Sequence, residues 1–130
     1  MKITKDILIE KGACAKGVRW FEDNFSSLDA DYQDVLNELA KQNIPDYADW
    51  LFANVGYTND VLEVDEIISE NSFFFAGRII ATGRIEVKFC ISAGRGIIAG
   101  RDISAGRGIK AGRDISAGDG VIAGRDISAG

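Results

Sequence analysis

The stretch "ISAGRGIIAGRDISAGRGIKAGRDISAGDGVIAGRDISAG", residues 91–130, says nearly the same six residues over and over. Divided at Ile91 it reads ISAGRG, IIAGRD, ISAGRG, IKAGRD, ISAGDG, VIAGRD and ISAG, with Ile or Val always first, Ala third and Gly fourth. On an extended segment the first and third side chains point to the same side. Each hexad therefore predicts a short strand with two inward apolar residues, a corner at the glycine and an outward polar pair. One isoleucine and one alanine make no core, but stacked hexads bury a continuous column, so the stretch predicts a parallel β-solenoid.

Followed backward in phase, the repeat persists in degraded form through VLEVDE, IISENS, FFFAGR, IIATGR and IEVKFC. This places Val61, Ile67, Phe73, Ile79 and Ile85 in the leading position and starts the solenoid near residue 61. Phe73 and Phe75 then point inward and Phe74 outward, where something must cover it. Charge selects the coil length. Coils of two hexads would pile Asp102, Asp114 and Asp126 in one column, whereas coils of three set Arg101 against Asp119 and Asp102 against Gly120. Like charges stacked directly are unfavourable, so three hexads to a triangular turn, and about four coils, are expected.

Before residue 61 the apolar spacing is helical. A first helix is expected from Lys5 to Lys11, with Thr4 as N-cap and Gly12 ending it. A second covers ACAKGVRWFEDNF, with Cys14, Val18, Phe21 and Phe25 on one stripe. A third covers DADYQDVLNELAKQN, with Tyr32, Val35, Leu36 and Leu39 on its apolar face. The fourth opens at Pro45 and closes before Gly56, with Ala48, Leu51, Phe52 and Val55 as its stripe. The fold class is α+β: a helical cap over residues 1–60 and a hexapeptide-repeat β-solenoid over residues 61–130. Four short helices have too little apolar surface to stand alone, and the solenoid is the available partner.

The tail resembles the hexapeptide-repeat β-helices and, more loosely, the polymer-forming bactofilins, in period and residue class. The acyltransferases among these rely on a histidine base, and this chain has none. The resemblance therefore implies the fold without the activity. Lack of histidine also removes the usual nucleophile–base pairs and most metal sites, so no catalytic, cofactor or metal residues are expected. Cys14 and Cys90 lie far apart with no CxxC, and buried free thiols are the simplest reading. Glycine every sixth residue is explained by corners rather than a phosphate loop. Asp29 with Asp31, or Asp46 with Asp49, are read as solubilising charge rather than acid/base pairs, and Trp20 and Trp50 as packing rather than a ligand cage. No apolar run suits a signal peptide or a membrane span, which places the protein in a cytoplasm, bacterial or phage-encoded.

Charge carries the remaining signal. Residues 1–72 hold six basic and fifteen acidic side chains, whereas residues 73–130 hold nine basic and five acidic. An acidic half steers a basic protein partner. The candidate binding face comprises Glu22, Asp23, Asp31, Asp34, Glu38, Asp46 and Asp49. In size and character the chain is similar to the immunity proteins that neutralise bacterial toxins, which implies a non-enzymatic inhibitor of a basic toxin or nuclease. A phage inhibitor of a host defence and a self-assembling structural solenoid are the alternatives. The mixed Arg and Asp of the corners oppose direct nucleic-acid binding. Because the sequence stops within a repeat, its last coil is expected to pair with a second copy, burying Ile115, Val121 and Ile127 in a homodimer.

Overall fold

Each hexad forms one short strand. The computed structural model describes residues 1–130, and its solenoid strands stack into three parallel sheets of four strands each. The first sheet contains β3 (Val61–Val64), β6 (Arg78–Ala81), β9 (Ile97–Ala99) and β12 (Ile115–Ala117). The second contains β4 (Ile67–Ser69), β7 (Ile85–Val87), β10 (Ile103–Ala105) and β13 (Val121–Ala123). The third contains β5 (Phe73–Phe75), β8 (Ile91–Ala93), β11 (Gly108–Ala111) and β14 (Asp126–Ala129).

The register places Ile79 beside Ile97 and Ile115, Ile67 beside Ile85, Ile103 and Val121, and Phe73 beside Ile91, Ile109 and Ile127. Three hexads thus make one coil, as the charge argument required, and Asp119 N–H donates to the Arg101 carbonyl at 3.2 Å. Ile79, Ile85, Ile91, Ile97 and Ile103 are wholly buried, each contributing about 2 kcal/mol of apolar burial.

The first strand departs from the extrapolated phase. Leu62, not Val61, pairs with Ile79, while Val61 stands opposite Arg78 and is exposed. The phase beginning at Val61 would turn Glu63 inward as well. Slipping by one residue turns Leu62 and Val64 onto the core instead, where they are half-buried, and leaves Glu63 in solvent, because an unpaired carboxylate in the core costs more than a shortened corner.

The fourth-position glycines are required for close approach rather than for an unusual backbone. A Cβ on Gly100 would land on the carbonyl oxygen of Thr82, one coil below, and a Cβ on Gly118 on that of Gly100. The glycines with positive φ lie elsewhere, at Gly12 and Gly56.

The helical half contains α1 (Lys5–Glu10), α2 (Ala15–Asn24), α3 (Tyr32–Lys41) and α4 (Pro45–Asn54). Thr4 caps α1, its Oγ1 accepting the Ile7 N–H at 3.1 Å, and Gly12 follows with φ 87°. Two expectations change. The stretch Asp29–Asp31 is not the start of the third helix but a strand, β2, paired antiparallel with β1 (Lys2–Thr4), and Asp31 then caps α3 by accepting the Gln33 N–H. Aspartate competes for backbone donors better at a cap than inside a helix. Cys14 likewise caps α2 and is exposed instead of lying buried on its stripe, and Cys90 is only half-buried. Tyr32 is buried, and its hydroxyl donates to the Gly56 carbonyl at 2.7 Å, tying the start of α3 to the end of α4.

The helices lie along the third sheet, α3 against β5 and α4 against β8. Phe74 points outward from β5 and joins the helical core, where it is 1 % exposed. The free edge of β5 is completed by side-chain amides. Gln33 donates to the Phe74 carbonyl at 2.7 Å and accepts from the Ala76 N–H at 3.1 Å, as a neighbouring strand would. Asn43 Oδ1 accepts from both the N–H and the hydroxyl of Ser72, at 2.8 and 2.9 Å.

Ile103→Asp is expected to destabilise the protein by at least about 4 kcal/mol, because it places an unpaired carboxylate between coils, whereas Ser104→Asp on the outward side costs less than about 1 kcal/mol. Thermal unfolding of the two variants checks this, and equal shifts would contradict the inward–outward assignment.

Candidate functional site

Six of the seven candidate carboxylates sit on the three longer helices and the seventh, Asp31, ends β2, but the structure does not leave them equivalent. Glu22 on α2 is 3.3 Å from Lys5 Nζ. Asp31 caps α3 and lies 3.9 Å from the N-terminal ammonium. Glu38 accepts a hydrogen bond from Gln42 Nε2 at 2.9 Å. Asp49 on α4 faces inward, toward the solenoid, with Lys110 Nζ 3.3 Å from its Oδ2. Asp23, Asp34 and Asp46 are exposed, with no ion pair or hydrogen bond to another side chain. The pairs Asp29/Asp31 and Asp46/Asp49 are not arranged as acid and base: Asp29 lies 3.7 Å from Lys2 Nζ, and Asp49 turns to Lys110.

Lys110 was not singled out by sequence, yet a signal for it exists. In the three-hexad register it belongs to the outward column Phe74, Ser92, Lys110, Ser128 on the third sheet. Covering Phe74 therefore extends cover along that column: Ser92 is buried, and Lys110 meets α4. Between the start of α4 and this sheet lies a cleft of about 530 Å³, with Asp46 and Asp49 on one side and Arg107, Lys110, Arg125 and Asp126 on the other. Acidic helix and basic solenoid thus complement each other within one chain.

Burial raises the Asp49 carboxyl above the ordinary carboxylate range; Lys110 opposes the rise, and Asp46 and Asp126 add to it. Its Oδ1 is enclosed without a hydrogen-bond partner. Elsewhere the solenoid corners stack cations on rings, with Arg95 and Arg113 over Tyr57 at 5.6 and 6.0 Å and Arg107 over Phe89 at 5.5 Å. Arg95 also donates to Asn59 Oδ1 at 3.2 Å. Several basic side chains that looked available in the sequence are therefore engaged with aromatic or polar neighbours. Among carboxylates and thiols, no three gather closely enough to hold a metal ion. No helix is long and apolar enough to cross a membrane.

Of the self-association residues, Ile115 and Val121 are half-buried and Ile127 is 49 % exposed, whereas Ile97, Ile103 and Ile109, one coil below them, are closed off.

Residues 1–59 match a family model described as the YdhT N-terminal domain, a match that ends just before β3 begins. No curated protein and no solved structure matches the chain.

Because Asp49 holds its proton more tightly in the folded than in the unfolded chain, the stability it contributes falls as pH rises from the ordinary carboxylate pKa through its raised value, and is constant above that. The stability of the wild type relative to Asp49→Asn is expected to decline as pH rises above the ordinary carboxylate range, from about pH 4 upward. Urea unfolding of both proteins across that range checks it, and a relative stability that rises with pH would mean that the Lys110 pairing outweighs the burial.

Proposed function

We propose that the protein acts by binding another protein, as a non-enzymatic inhibitor of a basic toxin or nuclease, in the manner of an immunity protein. The observation that carries this reading is the set of exposed carboxylates Asp23, Asp34 and Asp46, one on each of three helices, none of which forms an ion pair within the chain. The solenoid sheet beneath fixes the helices, so these charges approach a partner already positioned, which limits the ordering cost of association. A basic partner is attracted from a distance and oriented on the way in. A phage-encoded inhibitor of a host defence would use the same physics. The cytoplasm suits either role.

Reversing Asp23, Asp34 and Asp46 to Lys is expected to slow association with a partner recovered from the native host at equal stoichiometry by about tenfold or more at low salt, and to flatten its salt dependence. Circular dichroism should be unchanged. Stopped-flow or surface-based kinetics read the effect, and an association rate that does not move would place binding on another face.

Self-association is the second reading, through the apolar side chains Ile115 and Val121, which are half-buried, and Ile127, which is exposed. Two copies meeting there would bury these side chains against one another. Light scattering is expected to give a dimer for the wild type and a monomer for the Val121→Lys, Ile127→Lys double variant; a wild type that stays monomeric at high concentration contradicts this reading.

A further inference from the structure

Both tryptophans of the chain, Trp20 and Trp50, line one cavity of about 340 Å³ within the helical half. Its inner wall includes Phe21, Leu39 and Leu51, which are buried, and its rim includes Gly12, Cys14 and Asp46, which are exposed. The lining thus runs from solvent into the core, as a blind pocket does, and its volume falls at the small end of the range for small-molecule sites.

Three features define what would fill it. The Trp20 indole N–H is already donated to Gln42 Oε1 at 2.9 Å, and Gln42 is itself held by Asn24 and Glu38. The Trp20 ring stands edge-on to Tyr47, their centroids 6.2 Å apart. These aromatic groups are fixed in place, and what Trp20 offers an occupant is ring surface rather than a hydrogen bond. Asp46, in the first turn of α4, is the one charged residue of the lining. It makes no ion pair, and Arg107, Lys110 and Arg125, which share with it the cleft between α4 and the third sheet, are not part of this lining.

The third feature is Gly17, which lines the same cavity from inside α2. Glycine within a helix costs up to about 1 kcal/mol relative to alanine. Crowding does not account for it, since a Cβ there would meet only Cys14 Sγ, at an ordinary 3.6 Å. The Gly17 N–H donates to Cys14 Sγ at 3.4 Å, and its missing side chain leaves the cavity wall open at this point.

We propose that the cavity binds an organic cation with an apolar body, of the alkylammonium class. The alkyl part would lie against the aliphatic and aromatic wall, and the cationic head between the ring faces and Asp46. This inference does not depend on the inhibitor reading.

Since both tryptophans line the cavity, intrinsic fluorescence reports its occupancy directly. Titration of the full chain with hexyltrimethylammonium is expected to give a saturable change, with 1-hexanol binding at least about threefold more weakly and hexyl sulfate most weakly. Asp46→Asn should bring the cation to the affinity of the alcohol and leave the alcohol unchanged. Gly17→Leu, which fills the cavity and favours the helix, should keep the circular dichroism and abolish binding. The proposal is overturned if the alcohol or the sulfate binds as tightly as the cation, if none of the three gives saturable binding, or if folded Gly17→Leu binds like the wild type.

Discussion

The structure depends on coils lying directly on one another. At the corners this contact is backbone on backbone: the fourth-position glycine of one coil sits where any side chain would strike the carbonyl of the coil below. Glycine there allows the N–H to reach down, as Gly100 N–H does to the Ala81 carbonyl at 2.9 Å and Gly118 N–H to the Ala99 carbonyl at 3.0 Å. That spacing brings each isoleucine onto the isoleucine three hexads away, and the inward columns close. Ordinary positions one and three then suffice for a core with no large aromatic residue beyond the second coil. The interaction is local from coil to coil, which is why the sequence can repeat without losing register.

The same arrangement creates a difficulty where the stack begins, since the first strand of each sheet has one edge without a coil below it. At β5 the answer is a helix carrying amides. Gln33 supplies one acceptor and one donor to the strand edge, and Asn43 supplies an acceptor for Ser72. Asn43 adopts φ 57° at the end of α3, a left-handed conformation that asparagine tolerates. Phe74 adds the apolar part of the same contact. The polar pairing fixes where the helices sit along the strand, and the buried ring holds them there. Helical half and solenoid are therefore joined through both backbone satisfaction and burial, with Lys110 and Asp49 at the periphery.

Strict periodicity made the solenoid legible, down to the number of hexads in a coil. That number followed from charge stacking, and the outward direction of Phe74 followed from phase alone. Legibility failed where the repeat is degraded. In VLEVDE either of two phases offers two alternating positions, and the choice turns on whether Glu63 is buried, which a backward extrapolation does not weigh. The ribbon between Lys2–Thr4 and Asp29–Asp31 was hidden for a different reason: three-residue strands have no measurable alternation, and a cap aspartate next to a helical pattern looks like the helix itself. Gln33 and Asn43 carry no sequence signal because their role exists only once a strand edge is beside them.

The candidate face was legible as charge but not as geometry. Counting acidic residues treats Glu22, Asp31, Glu38 and Asp49 as equals of Asp23, Asp34 and Asp46, yet the first four are occupied by Lys5, the α3 terminus, Gln42 and Lys110. Position decides the difference. A carboxylate at a helix start is drawn to backbone N–H groups, and one facing the basic solenoid is drawn to lysine. Asp34 and Asp46 stand in the first turns of α3 and α4 yet make no ion pair or hydrogen bond to another side chain, and with Asp23 they are left to act at a distance. Net charge sets the sign of the partner such a protein attracts, but the field at close range comes from the few charges the fold leaves uncompensated. Among the candidate carboxylates, the three left so stand on separate helices, and one of them, Asp46, also borders the aromatic cavity. A basic side chain or a free organic cation arriving at that border would therefore meet attraction and apolar surface together.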